Sequence, residues 1–158
     1  MAYAIRPWND EDAAPLEAAA LAAIRAIGPH KYTQEQVDAW AARLSANIDL
    51  SDRIARGAFI FVAENADGVP VAYTLLEDDG HLDHLYCHPD HTRRELAEQL
   101  LAAAEHFARP HGMTRLYTEA SELARPVFER AGYTVSHRRD LQIGGVPIHN
   151  FAMEKSLR

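Results

Sequence analysis

Cysteine is nearly absent from this chain. Cys87 is the only one in 158 residues, which excludes an internal disulfide and a thiolate metal cluster. Long apolar runs are missing too. The most apolar stretch, Ala18 to Ile27, is ten residues long, is interrupted by Arg25, and is too short for a membrane span. Positive charge is in deficit. Sixteen Lys and Arg against 23 Asp and Glu leave a net charge of −7. A nucleic-acid partner is therefore not expected, because neutralising phosphates takes a basic face. Asp10, Glu11 and Asp12 stand where a secretory leader would need an apolar core. The hydrophobic fraction of 47% is that of a globular core rather than a disordered tail. The expectation is one soluble, cytoplasmic domain spanning 1–158, with no membrane partner.

Local signals divide the chain into elements. Tyr3 to Trp8 reads as a strand ended by Pro7, and Asn9 or Asp10 as the cap of a helix that Gly28-Pro29 stops. Thr33 with Gln36 forms a capping box for a second helix to about Ser45. The segment from Asn47 to Arg56 is ambiguous, with a short helix as one reading. Ala58–Glu64, Val71–Leu76 and His81–Cys87 read as three strands joined by turns at Asn65–Gly68 and Asp78–Gly80. A long helix is predicted from Thr92 to about Arg109, with Leu96, Leu100, Leu101, Ala104 and Phe107 on one face. A strand over Arg115–Glu119 follows, then a helix from Ser121 to Ala131. A final hairpin turns at Gly144-Gly145. The strand–helix–strand unit in the middle implies a parallel pair within an otherwise antiparallel sheet.

His81, His84, His88 and His91 invite a metal reading. Alternate residues of a strand face opposite ways, so His81 and His84 would not converge, and no metal is expected. Cys87 has no adjacent Lys or Arg to stabilise a thiolate and reads as a small apolar residue rather than a nucleophile.

The run Leu82-Asp83-His84-Leu85-Tyr86-Cys87-His88-Pro89-Asp90, followed by a long helix, resembles the GNAT superfamily of acyl-CoA-dependent N-acetyltransferases. Arg6-Pro7 before an acidic cap and Ala131-Gly132-Tyr133 after an amphipathic helix match that family's opening and ending. The resemblance covers nearly the whole chain. It implies an α/β (α+β) GNAT fold: a mixed, mostly antiparallel seven-stranded sheet, about four helices and a central β-α-β unit with splayed parallel strands. It also implies acetyl-CoA as cosubstrate and an amine as acceptor. Backbone groups of Leu85, Tyr86 and Cys87 would hold the pantetheine arm, and the loop Thr92-Arg93-Arg94-Glu95-Leu96-Ala97 the pyrophosphate.

The chain departs from the family pattern at two places. Glu95 stands where the phosphate loop has a glycine. Thr92 and Glu95 together spell a capping box that would occupy the helix's own donors. A carboxylate at about 4 Å from a diphosphate costs on the order of 4 kcal/mol near a surface. Arg93 and Arg94 would oppose that repulsion. Phe128 stands where many members carry the tyrosine that protonates the leaving thiolate, and Phe has no proton to give. For the base the candidates are Asp83, His81 or His84, and Glu119 at the end of the second splayed strand. Asp83 and His81 are expected on one strand face. A relaying water is the alternative. Glu35, Asp38 and the negative balance favour a cationic acceptor through steering, with a solvated helix face as the equal alternative. The reading is acetyl transfer from acetyl-CoA to a primary amine in a ternary complex. A GNAT-fold module without catalysis and use of another acyl-CoA remain open, as does a homodimer through an edge strand.

Overall fold

The computed structural model describes residues 3–158. β1 (Ala4–Pro7) ends at a proline, which has no N–H for a ladder. α1 (Ala13–Ile27) follows a 3-10 turn at Asp10–Asp12. It is alanine-rich, which favours helix, and it buries Leu16, Ala20 and Ile24 at four-residue spacing. α2 (Gln34–Asn47) starts at the predicted capping box. Thr33 Oγ1 accepts from Gln36 N at 3.2 Å, and Gln36 Oε1 accepts from Thr33 N at 2.9 Å. The ambiguous segment forms α3 (Leu50–Ala55), capped by Asp49 Oδ1 on Asp52 N at 3.0 Å.

β2 (Phe59–Glu64), β3 (Pro70–Leu76) and β4 (Leu82–Cys87) continue the first sheet, which has the order β1-β2-β3-β4 and is antiparallel throughout. After α4 (Leu96–Ala108) come β5 (Arg115–Ala120), α5 (Arg125–Arg130), β6 (Thr134–Ile143) and β7 (Val146–Ser156). The last three strands form a second antiparallel sheet ordered β5-β7-β6. Positive φ at both Gly144 and Gly145 lets a two-residue turn join β6 to β7.

The first sheet is covered on both faces. Leu16, Ile24 and Val37 of the first helices pack on Tyr73 and Leu75, while Leu96 and Leu100 of α4 pack on Val71 and Ala72. This explains why residues 71–76 of β3 are buried without alternation. Phe128 of α5 packs with Leu116, Tyr133 and Met153 on the second sheet.

The two sheets touch at one end only. His81 and Tyr117 form a parallel bridge, Tyr117 N donates to Gly80 O at 3.0 Å, and Thr118 Oγ1 donates to Leu82 O at 2.7 Å. Gly80 makes the approach possible. Its φ is +99°, and a Cβ there would lie 2.2 Å from Arg115 O. Beyond Leu82 and Thr118, β4 and β5 diverge. The seven strands expected as one sheet are therefore two sheets clasped at a parallel bridge.

Two helix starts differ from expectation. α4 begins at Leu96, not Thr92. Thr92 Oγ1 donates back to Pro89 O at 3.2 Å, and the helix N-cap is Glu95 instead. Arg93 and Glu95 take left-handed backbone, with φ of 61° and 59°. The Thr92–Glu95 capping box does not form. α5 begins at Arg125 because Ser121 Oγ accepts from Ala124 N at 3.1 Å and caps a preceding turn.

Candidate active site

The divergence of β4 from β5 opens two adjoining cavities. The first, of about 200 Å³, is largely apolar and lies among β4, β5, α4 and α5, with Leu85, Cys87, Thr92, Ala97, Val127 and Phe128 in its wall. The second, of about 440 Å³, is more polar. It lies between β4, α2 and the β6–β7 hairpin. Trp40, Asp83, Tyr86, Glu119 and Ser121 line both. These five residues form a junction at which a group held in one cavity meets a group held in the other.

Asp83 reaches the junction through a β-bulge. Leu76 pairs with Leu82 and Leu75 with His84, which leaves Asp83 as the extra residue of β4. Arg53 Nη2 lies 2.8 Å from its Oδ2. Despite the bulge, Asp83 and His81 share a side as expected: ligand atoms of Glu77, His81 and Asp83 lie within 4.8 Å of one another. His81 is held differently. Its ring stacks on Tyr117, its Nδ1 lies 2.6 Å from Glu77 Oε1, and its Nε2 lies 2.8 Å from Glu119 Oε1. Burial alone would lower its pKa. The hydrogen bonds that the ring donates to Glu119 and Glu77 outweigh it and raise the value to about 9. His81 is thus an imidazolium at neutral pH, with both nitrogens engaged and no lone pair for an amine's proton. His84 is buried and sits at about 4, because desolvation outweighs the attraction of Asp83. It is neutral, and its Nδ1 is 3.0 Å from the Tyr73 hydroxyl.

The backbone of Leu85, Tyr86 and Cys87 pairs with β3 on one side, and β5 has already diverged on the other. All three residues line the first cavity, which leaves a strand edge along its wall. At the far end of β4 the chain enters the left-handed loop and then α4. Glu95 occupies the N-cap position of that helix but makes no side-chain cap bond. The first N–H groups of α4, beginning with Leu96 and Ala97, therefore lack the predicted internal partner. Arg93, Arg94 and Glu95 are exposed beside them.

A strand pair splayed over a cavity, with one free strand edge and a helix starting after it, is the layout that the motif order implied; the capping box expected at that helix start is absent. The family model for the acetyltransferase (GNAT) domain matches residues 29–155. The chain belongs to the GNAT superfamily of acetyltransferases. A GCN5-related N-acetyltransferase from Rhodopseudomonas palustris is 33% identical, covers 99% of this chain and 96% of its own, and superposes with a TM-score of 0.88. The uncharacterized N-acetyltransferase YafP of Escherichia coli K12 is 27% identical over 152 residues, which is 94% of this chain and 93% of that protein. The PaiA N-acetyltransferase of Thermoplasma acidophilum, solved in complex with coenzyme A, has the same fold at 21% identity, with a TM-score of 0.78 over 99% of each chain.

Within this GNAT site the structure brings Asp83, Glu119, Leu85, Tyr86, Cys87, Thr92, Ala97 and Phe128 to the cavities. It places His81 behind Glu119 rather than in the cleft. The side chain of Leu96 is buried in the core, so only its backbone can serve a ligand. Glu35 and Asp38 lie on the outer surface of α2, away from the junction, and do not line the second cavity. Three arginines that sequence reasoning passed over do line it: Arg43, Arg53 and Arg139. Only Arg139, in the Arg-rich run of the last hairpin, carried any sequence signal. Among the described residues no helix is long and apolar enough to cross a membrane.

Proposed function

We propose that this acetyltransferase moves an acetyl group from acetyl-CoA to a primary amine by direct attack in a ternary complex, one domain supplying both subsites. The observation that carries the reading is the pair of cavities meeting at Trp40, Asp83, Tyr86, Glu119 and Ser121. Acetyl-CoA supplies a thioester carbonyl activated toward amines. The free edge of Leu85–Cys87 takes the pantetheine amides and presents backbone N–H groups to the thioester oxygen, where charge develops during attack. Phe128 and Val127 close the apolar wall around the acyl end. The unpartnered N–H groups at Leu96 and Ala97, with Arg93 and Arg94, hold the pyrophosphate, and Thr92 flanks it.

Glu119 is the base. One oxygen is bonded to His81 and the other is available at the junction. His81, protonated at both nitrogens, donates to Glu119 and to Glu77 and fixes the carboxylate at the junction, while the proton that Glu119 takes from the amine leaves to solvent through the open second cavity. Asp83, steadied by Arg53, receives the ammonium form of the acceptor and orients it. Tyr86 replaces the tyrosine that Phe128 lacks, since it is the phenol that lines both cavities among the described residues. Burial pushes its hydroxyl up to about 12. It therefore keeps its proton until a thiolate leaves.

The decisive experiment is isothermal titration of the purified protein with acetyl-CoA at low and moderate salt. Micromolar binding that weakens with salt is expected. No binding at millimolar acetyl-CoA would overturn the reading and favour a GNAT-fold module with another partner.

A further inference from the structure

The second cavity holds more positive than negative charge once internal pairing is counted. Its two carboxylates are both neutralised by protein groups: Asp83 by Arg53 at 2.8 Å, and Glu119 by His81 at 2.8 Å. Arg53 is also 3.5 Å from Glu77. Arg43 on α2 and Arg139 on β6 enter the same cavity from different walls. Among the described residues neither pairs with a carboxylate. Arg139 donates only from Nη1, to Asn150 Oδ1 at 3.1 Å. That bond fixes the guanidinium plane and leaves Nε and Nη2 open. Of the remaining titratable groups that line the cavity, His84 is neutral; the carboxylates Glu77 and Glu122 stand behind the wall, beside His81 and His149. His149 Nε2 lies 3.1 Å from Glu122 Oε2 but off a hydrogen-bond axis, and so is a buried polar atom without a hydrogen-bond partner on the same wall.

We propose that the acceptor carries a carboxylate beside its amine, and that Arg139 and Arg43 hold this carboxylate while the amine is delivered to Asp83 and Glu119. The inference rests on the acetyltransferase reading and narrows its acceptor. It replaces the cationic acceptor expected from overall charge, because Glu35 and Asp38 lie outside the cavity and the cavity's own surplus has the opposite sign. The planar fork of Arg139, already oriented by Asn150, suits bidentate binding of a carboxylate. Leu44, Leu141, Ile143 and Ile148 line the space between, which fits an apolar side chain on the same molecule. The acceptor class is an α-amino acid with an apolar side chain.

The test uses matched pairs. L-leucine and L-phenylalanine are compared with their carboxamides as acceptors, by thiol release from acetyl-CoA. The N-acetylated acids are compared with the N-acetylated amides as ligands, by titration in the presence of CoA. The acid is expected to exceed its amide about tenfold in both kcat/KM and affinity. Arg139→Gln and Arg43→Gln are expected to shrink that ratio toward one, chiefly through KM, and Arg139→Lys to restore part of it. A misfolded variant would lose acid and amide together and leave the ratio unread, so the Lys variant and the melting temperature of each protein accompany it. Equal or better use of the amides by the unmodified protein, or no binding of either N-acetyl form, overturns the proposal. Failure of acetyl-CoA itself to bind overturns the parent reading instead, and the N-acetyl acids then still report on the arginine pair by titration without CoA.

Discussion

His81 Nε2 lies 2.8 Å from Glu119 Oε1, which makes an imidazolium the immediate neighbour of the carboxylate at the junction of the two cavities. The ring is little exposed, its other nitrogen is tied to Glu77, and its pKa is raised to about 9 from an ordinary 6.5. A group raised on folding stabilises the protein fully below its unfolded pKa and loses that contribution as pH climbs through its folded one. Stability should therefore fall between about pH 6.5 and pH 9 by up to about 3 kcal/mol, less where the partly exposed Glu77 is screened. Urea unfolding across that window checks it. In His81→Gln the slope should flatten, and a slope equal to that of the unmodified protein would rule out His81 as its source.

Glu119→Gln keeps the side chain's size and removes its basicity. With an amine that the unmodified protein acetylates, kcat should drop by about 10²–10⁴-fold. The dissociation constant for acetyl-CoA should change less than about twofold, because the proposed pantetheine contacts are backbone groups of β4. Asp83→Asn should act mainly on the KM of the acceptor. A loss of kcat in Asp83→Asn as large as in Glu119→Gln would move the base to Asp83.

Glu95 adopts φ 59° at the start of α4 with no cap bond to show for it. A non-glycine residue in that conformation costs roughly 1–2 kcal/mol relative to glycine. Glu95→Gly removes this strain and a negative charge beside the donors proposed to hold the pyrophosphate. Tighter acetyl-CoA binding and an unchanged or higher melting temperature are expected. Weaker binding in titration calorimetry would show that the Glu95 side chain supports the loop.

What could be read from the sequence was what is decided locally. The Thr33–Gln36 box and the Gly144-Gly145 turn depend on neighbours three residues apart or fewer, and both formed as expected. Thr92 and Glu95 carry the same kind of local signal and did not form a box, because left-handed backbone at Arg93 and Glu95 breaks the helical turn that a box needs and delays the helix to Leu96. Asp83 was found by motif, but its bulge was not, since a bulge is a relation between two strands. Arg53 meets Asp83 from a six-residue helix thirty positions away in the chain. No spacing rule links them. Which of Arg138 and Arg139 enters the cavity depends on the register shift between Val135 and His137, since a one-residue slip exchanges strand faces.

Cys87 lines the first cavity, and burial pushes its thiol up to about 11. Alkylation by iodoacetamide at pH 8 should accordingly be slow, on the order of a hundredfold slower than for a free thiol, since the thiolate is the reactive form. Saturating acetyl-CoA should slow it further by covering the strand edge. Cys87→Ala should keep kcat within about threefold, as expected for direct transfer. Loss of turnover with intact acetyl-CoA binding would instead point to a covalent step at sulfur.

Gly80 sets how closely the two sheets meet. Its φ of +99° is strained for any side chain, and a Cβ would stand 2.2 Å from the Arg115 carbonyl oxygen, a backbone atom that cannot swing aside. Gly80→Ala must therefore push β5 away from the turn before β4, and it loses the Tyr117 N to Gly80 O bond and the His81–Tyr117 bridge with it. The strain and the lost contacts together predict a destabilisation of about 3 kcal/mol or more. They also predict a functional effect at a distance, because Glu119 lies two residues past Tyr117. If the clasp positions Glu119 against His81, the variant's residual activity should show a flatter pH profile near pH 9 as well as a lower melting temperature. At the open turn residue Gly144 an added Cβ has no atom within 4 Å. Gly144→Ala is the control that separates the cost of positive φ from the cost of the clasp, and its destabilisation should be about 1 kcal/mol. Equal losses for the two variants, by urea unfolding, would mean that the close approach at Gly80 contributes nothing.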